Sequence, residues 1–351
     1  MKMIAPTWVT DFHCIADQCR HSCCVGWEID IDKESVSRYL RMSGDIGERL
    51  RRALVKSDGG WHFRMGRDGR CAMLEENGLC GLILSRGEGA LCDICREHPR
   101  YYHEYTGRVE MGIGLCCEEA ARLQLTCADP LARVTLQKDA GPERLTAREA
   151  AFFRARDQLM KIAASPVPMA RRLNALSAAA GLPEEPQPPL TFWLEMERLD
   201  EHWTLLLQRL METKTPDEDL AETPAEISVK RAAEFGDEPL AVQPDEIAAQ
   251  TLNEPSAHSP AEKPAIPFAG LPAKVDAILT RWLTYLLWRH LPDSLNGSSL
   301  QRETRLCLRL TRLLADLCAL PGAGPMTYAR MLSGEVEYSA ENLGRAKSPL
   351  Q

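Results

Sequence analysis

Eleven of the chain's thirteen cysteines lie within its first 127 residues, and the densest run is Cys14-x4-Cys19-x3-Cys23-Cys24. Cysteine spent this way builds either a disulfide framework or a thiolate cage for a metal. Residues 1–11 (MKMIAPTWVTD) hold no apolar stretch long enough for a signal-peptide core. The expectation is therefore a cytoplasmic chain, where thiols stay reduced. An odd cysteine count cannot pair completely, and 351 residues can bury a core without covalent staples. Soft-metal ligation, by iron–sulfur or zinc, is the reading that remains.

Cysteines return in three further groups. Cys71 and Cys80 frame CAMLEENGLC, where Gly78 suits a tight turn that brings both sulfurs to one side. Cys92-x2-Cys95 follows, and Cys116-Cys117 opens the helix-like run Glu118–Leu125. A lone CxxC says little, but four successive groups can converge on one point, which is how cages form. Zinc sites favour paired CxxC knuckles, and only Cys92/Cys95 has that spacing. An iron–sulfur core tolerates irregular spacing. No Cys-x3-Cys-x2-Cys run is present, so the usual radical S-adenosylmethionine signature is missing.

The expected architecture is mainly α, with a cysteine-rich, metal-organised N-terminal α+β region and a helical C-terminal part. Four segments follow: a metal-cluster domain at 1–128, a helical region at 129–212, a flexible acidic linker or insertion at 213–269, and a C-terminal helical region at 270–345. Residues 27–32 alternate like a strand, with Asp32 placed to cap a helix through Val36 and Leu40. Residues 147–163 read as a helix, and Phe192, Met196, Leu199, Trp203, Leu206 and Leu210 share one helical face. Thr213–Ala269 holds eight prolines and an acidic excess, too little apolar surface to offset ordering entropy. Helical pattern resumes at Lys274 and runs to Leu320, with Leu306, Leu310, Leu313, Leu314 and Leu317 as its stripe; Cys307 and Cys318 inside it read as inert core thiols.

A net charge of −8 argues against nucleic-acid binding. No uncharged apolar run reaches the roughly eighteen residues that span a membrane, which leaves only association with its surface. The pairs Gly87-x-Gly89 and Gly112-x-Gly114 lack the third glycine and the strand–turn–helix setting of a dinucleotide fingerprint.

The run Phe12-x-Cys14-x4-Cys19-x3-Cys23-Cys24-x-Gly26-Trp27-x-Ile29-x-Ile31-Asp32 resembles the opening of the flagellin lysine-N-methylase family. Cys71 with Leu74, Gly78-Leu79-Cys80, Cys95 with Pro99-Arg100, and Cys117-x-Glu119-Ala120-Ala121-Arg122-Leu123 follow in the family's order. The double-Cys opening is also similar to that of cysteine-cluster proteins described as zinc- or iron-chelating. The resemblance implies a cytoplasmic enzyme that uses S-adenosylmethionine to methylate flagellin lysines, with a cysteine-bound [4Fe–4S] cluster. Carried over residue by residue, the ligand candidates are Cys14, Cys19, Cys23, Cys24, Cys71, Cys80, Cys95 and Cys117. Eight thiolates exceed one cluster, so either two metal sites exist or some serve another purpose. Cys92, Cys116 and Cys127 fall outside the pattern. Arg100 is a candidate for the cofactor carboxylate, with an ion pair to Glu97 or Glu104 as the alternative. The rival readings are a non-catalytic zinc- or iron-chelating protein and a redox protein built on Cys92 and Cys95.

Overall fold

The computed structural model describes residues 2–26, 29–57, 59–67, 69–137, 144–183, 187–214 and 271–350. Most of the expected linker at 213–269 lies outside the described residues.

A four-stranded sheet organises the larger of two hydrophobic cores. Its strands are β1 (Lys2–Pro6), β5 (Arg100–Tyr105), β6 (Arg108–Ile113) and β7 (Arg133–Gln137), in the order β5-β6-β1-β7. β5 and β6 form an antiparallel hairpin turned at Gly107, whose φ of 80° suits a residue without a side chain. β1 runs parallel to β6 and antiparallel to β7. Parallel neighbours need a crossover, and here that crossover carries most of the cysteines. The cysteine-bearing region is thus an insertion between β1 and β5, anchored at both ends in one sheet.

Against this sheet pack the helices Glu118–Thr126, Ala147–Ala163, Met169–Ala179, Glu201–Lys214, Ala273–His290 and Leu300–Leu317. Ala5, Met111 and Ile113 of the strands share a core with Leu125, Phe153, Trp282 and the stripe Leu306, Leu310, Leu313, Leu314 and Leu317. Each fully buried leucine contributes roughly 1.5–3 kcal/mol relative to exposure. Thr146 and Glu149 close a capping box at the start of Ala147–Ala163. Two helical patterns are interrupted. The 274–320 pattern breaks at Leu291–Leu295, where Pro292 cannot donate to the preceding turn, and at Gly297, with φ 94°. The Phe192–Leu210 face divides into Leu190–Leu194 and Glu201–Lys214. Among the described residues no helix is long and apolar enough to cross a membrane.

The second core belongs to the insertion. A three-stranded sheet, β2 (Asp30–Ile31), β4 (Gly60–Phe63) and β3 (Leu54–Ser57), packs with helices Lys33–Arg41 and Gly44–Ala53. Ile29, Ile31, Val36, Tyr39, Leu50 and Phe63 fill it. Asp32 holds two elements together: its carboxylate accepts from Ser35 N at 2.7 Å as helix cap and from Asp93 N at 3.0 Å. Partial burial raises its pKa, but the two backbone N–H groups prevail and hold it down to about 2. Asp32→Ala should therefore lower stability by about 1–2 kcal/mol. A depressed carboxyl contributes its stability above the unfolded value of roughly 4 and loses it as pH falls toward the folded one. The gap between parent and variant in denaturant melts should hold at neutral pH and close near pH 2. A pH-independent gap would assign the loss to helix propensity instead.

Candidate metal centre

Five cysteines pack in or against the insertion's core. Cys71 N donates to the Cys24 carbonyl at 2.9 Å, and Val25 and Arg70 form an antiparallel bridge beside it. The turn between Cys71 and Cys80 folds at Gly78, with φ 81°, and Leu74 bridges Cys80. Arg49 secures that turn through the Ala72 carbonyl, at 2.9 Å from Nη2, and through Glu75. On the other side, Tyr39 donates to the Ala90 carbonyl and Arg38 to the Leu91 carbonyl, both at 2.9 Å. These bonds position Cys92 as cap of the short helix Asp93–Glu97, which carries Cys95. Cys24, Cys71, Cys80, Cys92 and Cys95 all pack in the core that contains Ile29, Met73, Leu82 and Leu91.

The electrostatics are those of crowded sulfur. The Cys24 thiol bonds to the Cys23 sulfur, which lowers Cys23 to about 7 against the effect of burial. Cys24 is correspondingly raised, by that bond, then by burial, then by the neighbouring Cys23, Cys80 and Cys71. Cys92 is lowered to about 7 by its bond from Cys95. Cys95 is raised by the same bond, by burial, and by the charges of Cys92, Cys24 and Cys71. Burial leads the rise at Cys71, with Cys80 and Cys92 adding. Free thiols that oppose one another's ionisation are the donor set that a soft cation neutralises. Among the described residues, however, no three of these sulfurs lie within 4.8 Å of one another, so the cysteine-rich region is crowded with thiols without being organised as a ready-made metal shell.

A second group lies at the seam with the helical body. Cys117 caps Glu118–Thr126. The loop carrying Cys19 docks there, since Arg20 donates to Glu118 from its backbone N at 3.0 Å and its Nε at 2.9 Å. Cys19 Sγ lies 3.8 Å from the Glu118 carboxylate and 3.1 Å from the His21 carbonyl. Burial raises Cys19, the His21 carbonyl opposes, and Glu118, Cys23 and Cys14 raise it further. Burial likewise pushes Cys117 up to about 11, with Cys19 and Cys23 adding to it. Cys14 and Cys23 reach solvent.

Behind Cys117 sits a buried polar network that no periodicity announces. Glu337, in the π-helical turn Ser333–Glu337, accepts from Tyr285 at 2.9 Å, Ser333 at 2.5 Å and His290 Nε2 at 2.6 Å. Arg289 completes its shell at 3.2 Å. Burial disfavours the charge, yet Arg289 and His290 hold the carboxyl down to about 2. The Arg289 guanidinium lies 4.8 Å from the Tyr101 ring centre and 5.0 Å from that of Tyr338. Cys116 Sγ lies 4.0 Å from His98 Nε2, and burial pushes this thiol up to about 12. Burial and then Arg289 lower His98 to about 4. The glycines of Gly112-x-Gly114 serve packing here: a Cβ at Gly112 would strike the Tyr101 ring, and one at Gly114 the Tyr338 hydroxyl. The one sequence signal for this network was the charged pair Arg289–His290 closing the otherwise apolar WLTYLLWRHL segment.

Arg100 stacks 5.5 Å from the Phe12 ring centre and donates to the Arg96 carbonyl at 3.4 Å. Glu97 is bonded to Tyr102 at 2.8 Å. Cys127 lies by Arg281, whose Nε donates to its carbonyl at 2.7 Å. Cys307 is fully buried in the large core, and Cys318 caps the C-terminus of Leu300–Leu317. Among the described residues, the ligand atoms of His290, Asp293 and Glu303 are the one group of three within 4.8 Å of one another. Lys347 neutralises that group, at 3.0 Å from Asp293 and 2.9 Å from Glu303.

Over 133 residues, 36% of its length, the chain is 31% identical to proteins named lysine-N-methylase from Salmonella choleraesuis and Salmonella typhimurium. It spans about a third of the length of these relatives, 33% in each case. It is 30% identical over 133 residues to a protein named flagellar biosynthetic protein FliU from Salmonella muenchen, of which it covers 79%. No protein-family model matches the chain, and no solved structure does.

Proposed function

The chain belongs to the flagellin lysine-N-methylase family, and on that premise we propose that it methylates lysine side chains of flagellin, with S-adenosylmethionine as methyl donor. A thiolate-bound iron–sulfur cluster is the proposed resident cofactor. The reading is supported by the free thiols of Cys24, Cys71, Cys80 and Cys95 packed in or against the insertion's core, and of Cys19 and Cys117 near the head of the helix Glu118–Thr126. Flagellin is met before export, so the proposed location is the cytoplasm.

When bound, the cluster supplies a redox-active soft centre and S-adenosylmethionine supplies an electrophilic methyl group. The rest falls to the chain. Lysine must present a neutral amine in line with the methyl–sulfur bond, which requires orientation and exclusion of water. Around His21 beside Cys19, Glu118 and Asp200 are opposed by Arg330 and Arg20, and Glu118 is already paired with Arg20 at 2.9 Å. The rings at Tyr101, Tyr338 and Tyr285 form a rigid wall behind Cys116 and Cys117, fixed by Arg289 and Glu337. In this reading Arg100 serves packing with Phe12 rather than cofactor binding.

All-sulfur donor sets also suit zinc, which favours the non-catalytic metal-binding reading as the alternative. Co-expression with flagellin in a host that has no flagellin methylase separates the two. Mass spectrometry should find methylated lysines in flagellin only when the chain is present. Unmodified flagellin, with the chain expressed and metal-loaded, would favour the metal-binding protein.

A further inference from the structure

The break between the helices Ala273–His290 and Leu300–Leu317 builds a site of its own, outside the cysteine-bearing insertion. His290 ends the first helix, Asp293 sits in the Leu291–Leu295 turn, and Glu303 lies in the first turn of the second helix. Their ligand atoms approach within 4.8 Å of one another. Glu303 is 0% and His290 3% exposed, so this is no surface run of acids. The Glu337 carboxylate lies 2.6 Å from His290 Nε2. A carboxylate on one ring nitrogen orients an imidazole and leaves the other, here Nδ1, as a donor, which is how metal-ligating histidines are supported. Ser298 Oγ donates to Glu303 Oε1 at 2.5 Å, but the buried Oε2 has no hydrogen-bond donor. Lys347, closing the helix Ala340–Lys347, brings Nζ to 2.9 Å from that oxygen, outside hydrogen-bonding geometry, and donates to Asp293 at 3.0 Å. A buried lone pair met by charge alone has no donor to give up when a cation binds.

We infer that His290, Asp293 and Glu303 bind a divalent cation of the manganese(II) class, in exchange with Lys347, whose ammonium holds the cation's place in the metal-free chain. Imidazole with two carboxylates is a donor set of intermediate hardness, unlike thiolates, which select soft ions. The Asp293 side chain is 40% exposed, which gives the ion and its water ligands access to solvent. The lysine can leave without disturbing the backbone. Arg309 secures that segment through the Ala346 and Ser348 carbonyls, whereas the Lys347 stem is a flexible four-carbon chain. Through His290, the bound ion joins the turn and the helix Leu300–Leu317 to the Glu337 network. The inference depends neither on methyl transfer nor on the cysteines.

The test titrates full-length chain with manganese(II), whose electron paramagnetic resonance signal reports the bound fraction and for which thiolates compete poorly. The parent should bind about one manganese per chain, with nitrogen coupling from the imidazole in the pulsed spectrum. Asp293→Asn, at the partly exposed ligand, should weaken binding by more than about tenfold and keep the parent's far-ultraviolet circular dichroism. Lys347→Met should bind about tenfold more tightly than the parent, as when a state open about a tenth of the time becomes the only one. Added manganese should also raise the melting temperature of Lys347→Met more than that of the parent. Should Lys347→Met fail to fold, Asp293→Asn and Glu303→Gln still decide. Parental affinity surviving in both of those variants would place the ion elsewhere and overturn the proposal. Binding by Lys347→Met alone would make the lysine a permanent occupant and overturn it too, as would binding by neither protein.

Discussion

Cys24→Ala is expected to reduce flagellin methylation to background and to cut bound metal by at least half. Cys24 occupies the junction of the insertion: its carbonyl receives Cys71 N at 2.9 Å, and its thiol bonds to Cys23 while facing Cys80 and Cys71. On the proposed metal reading, loss of one ligand compromises the whole site, because metal binding and local folding share one free energy. Altering a mere supporting residue of a metal site costs about 10–100-fold, so a lost ligand should exceed that. The control is Cys307→Ala. Cys307 is fully buried in the large core, far from the insertion's packing, and burial keeps its thiol protonated. Its loss should cost about 1 kcal/mol of stability and spare activity. Metal analysis paired with mass spectrometry of flagellin reads both effects. Near-parental methylation by Cys24→Ala would separate the chemistry from the cysteines.

Glu337→Ala carries the largest expected loss of stability. The glutamate side chain is fully buried and receives Tyr285, Ser333, His290 and Arg289. Its removal leaves the Arg289 charge buried between two tyrosine rings, and breaking a buried pair in this way costs about 3–5 kcal/mol. Replacing both partners, as in Glu337→Leu with Arg289→Met, removes the uncompensated charge and should recover most of that loss. Because the carboxyl is held down to about 2, the network stays charged at neutral pH. Its contribution is complete above the unfolded glutamate value of roughly 4 and fades as pH falls through the folded one. Urea melts at pH 7 and at lower pH measure all three proteins. A Glu337→Ala loss below ~1 kcal/mol would mean that water reaches Arg289.

What could be read from residues alone was local. Asp32 as a cap, the Ala147–Ala163 helix and the leucine stripe from Leu306 to Leu317 each follow from spacings within a few turns. The four successive cysteine groups were legible for the same reason. Three features were not. The parallel pairing of Lys2–Pro6 with Arg108–Ile113 joins segments about a hundred residues apart and leaves no periodic trace. Pro292 and Gly297 split a helical pattern whose apolar face continues across the break. The partition of the thiols depends on which element carries each group: Cys117 belongs to a helix of the large core, whereas Cys71, Cys80 and Cys95 belong to the insertion.

The most direct test of the account is methyl transfer by the purified chain. Anaerobically prepared, iron-loaded protein is incubated with flagellin and S-adenosylmethionine carrying a deuterated methyl group, and the flagellin lysines are sequenced by mass spectrometry. The account predicts deuterated methyl groups on lysine side chains, in an amount that depends on the presence of the metal. Metal-loaded protein that leaves every flagellin lysine unlabelled would contradict it.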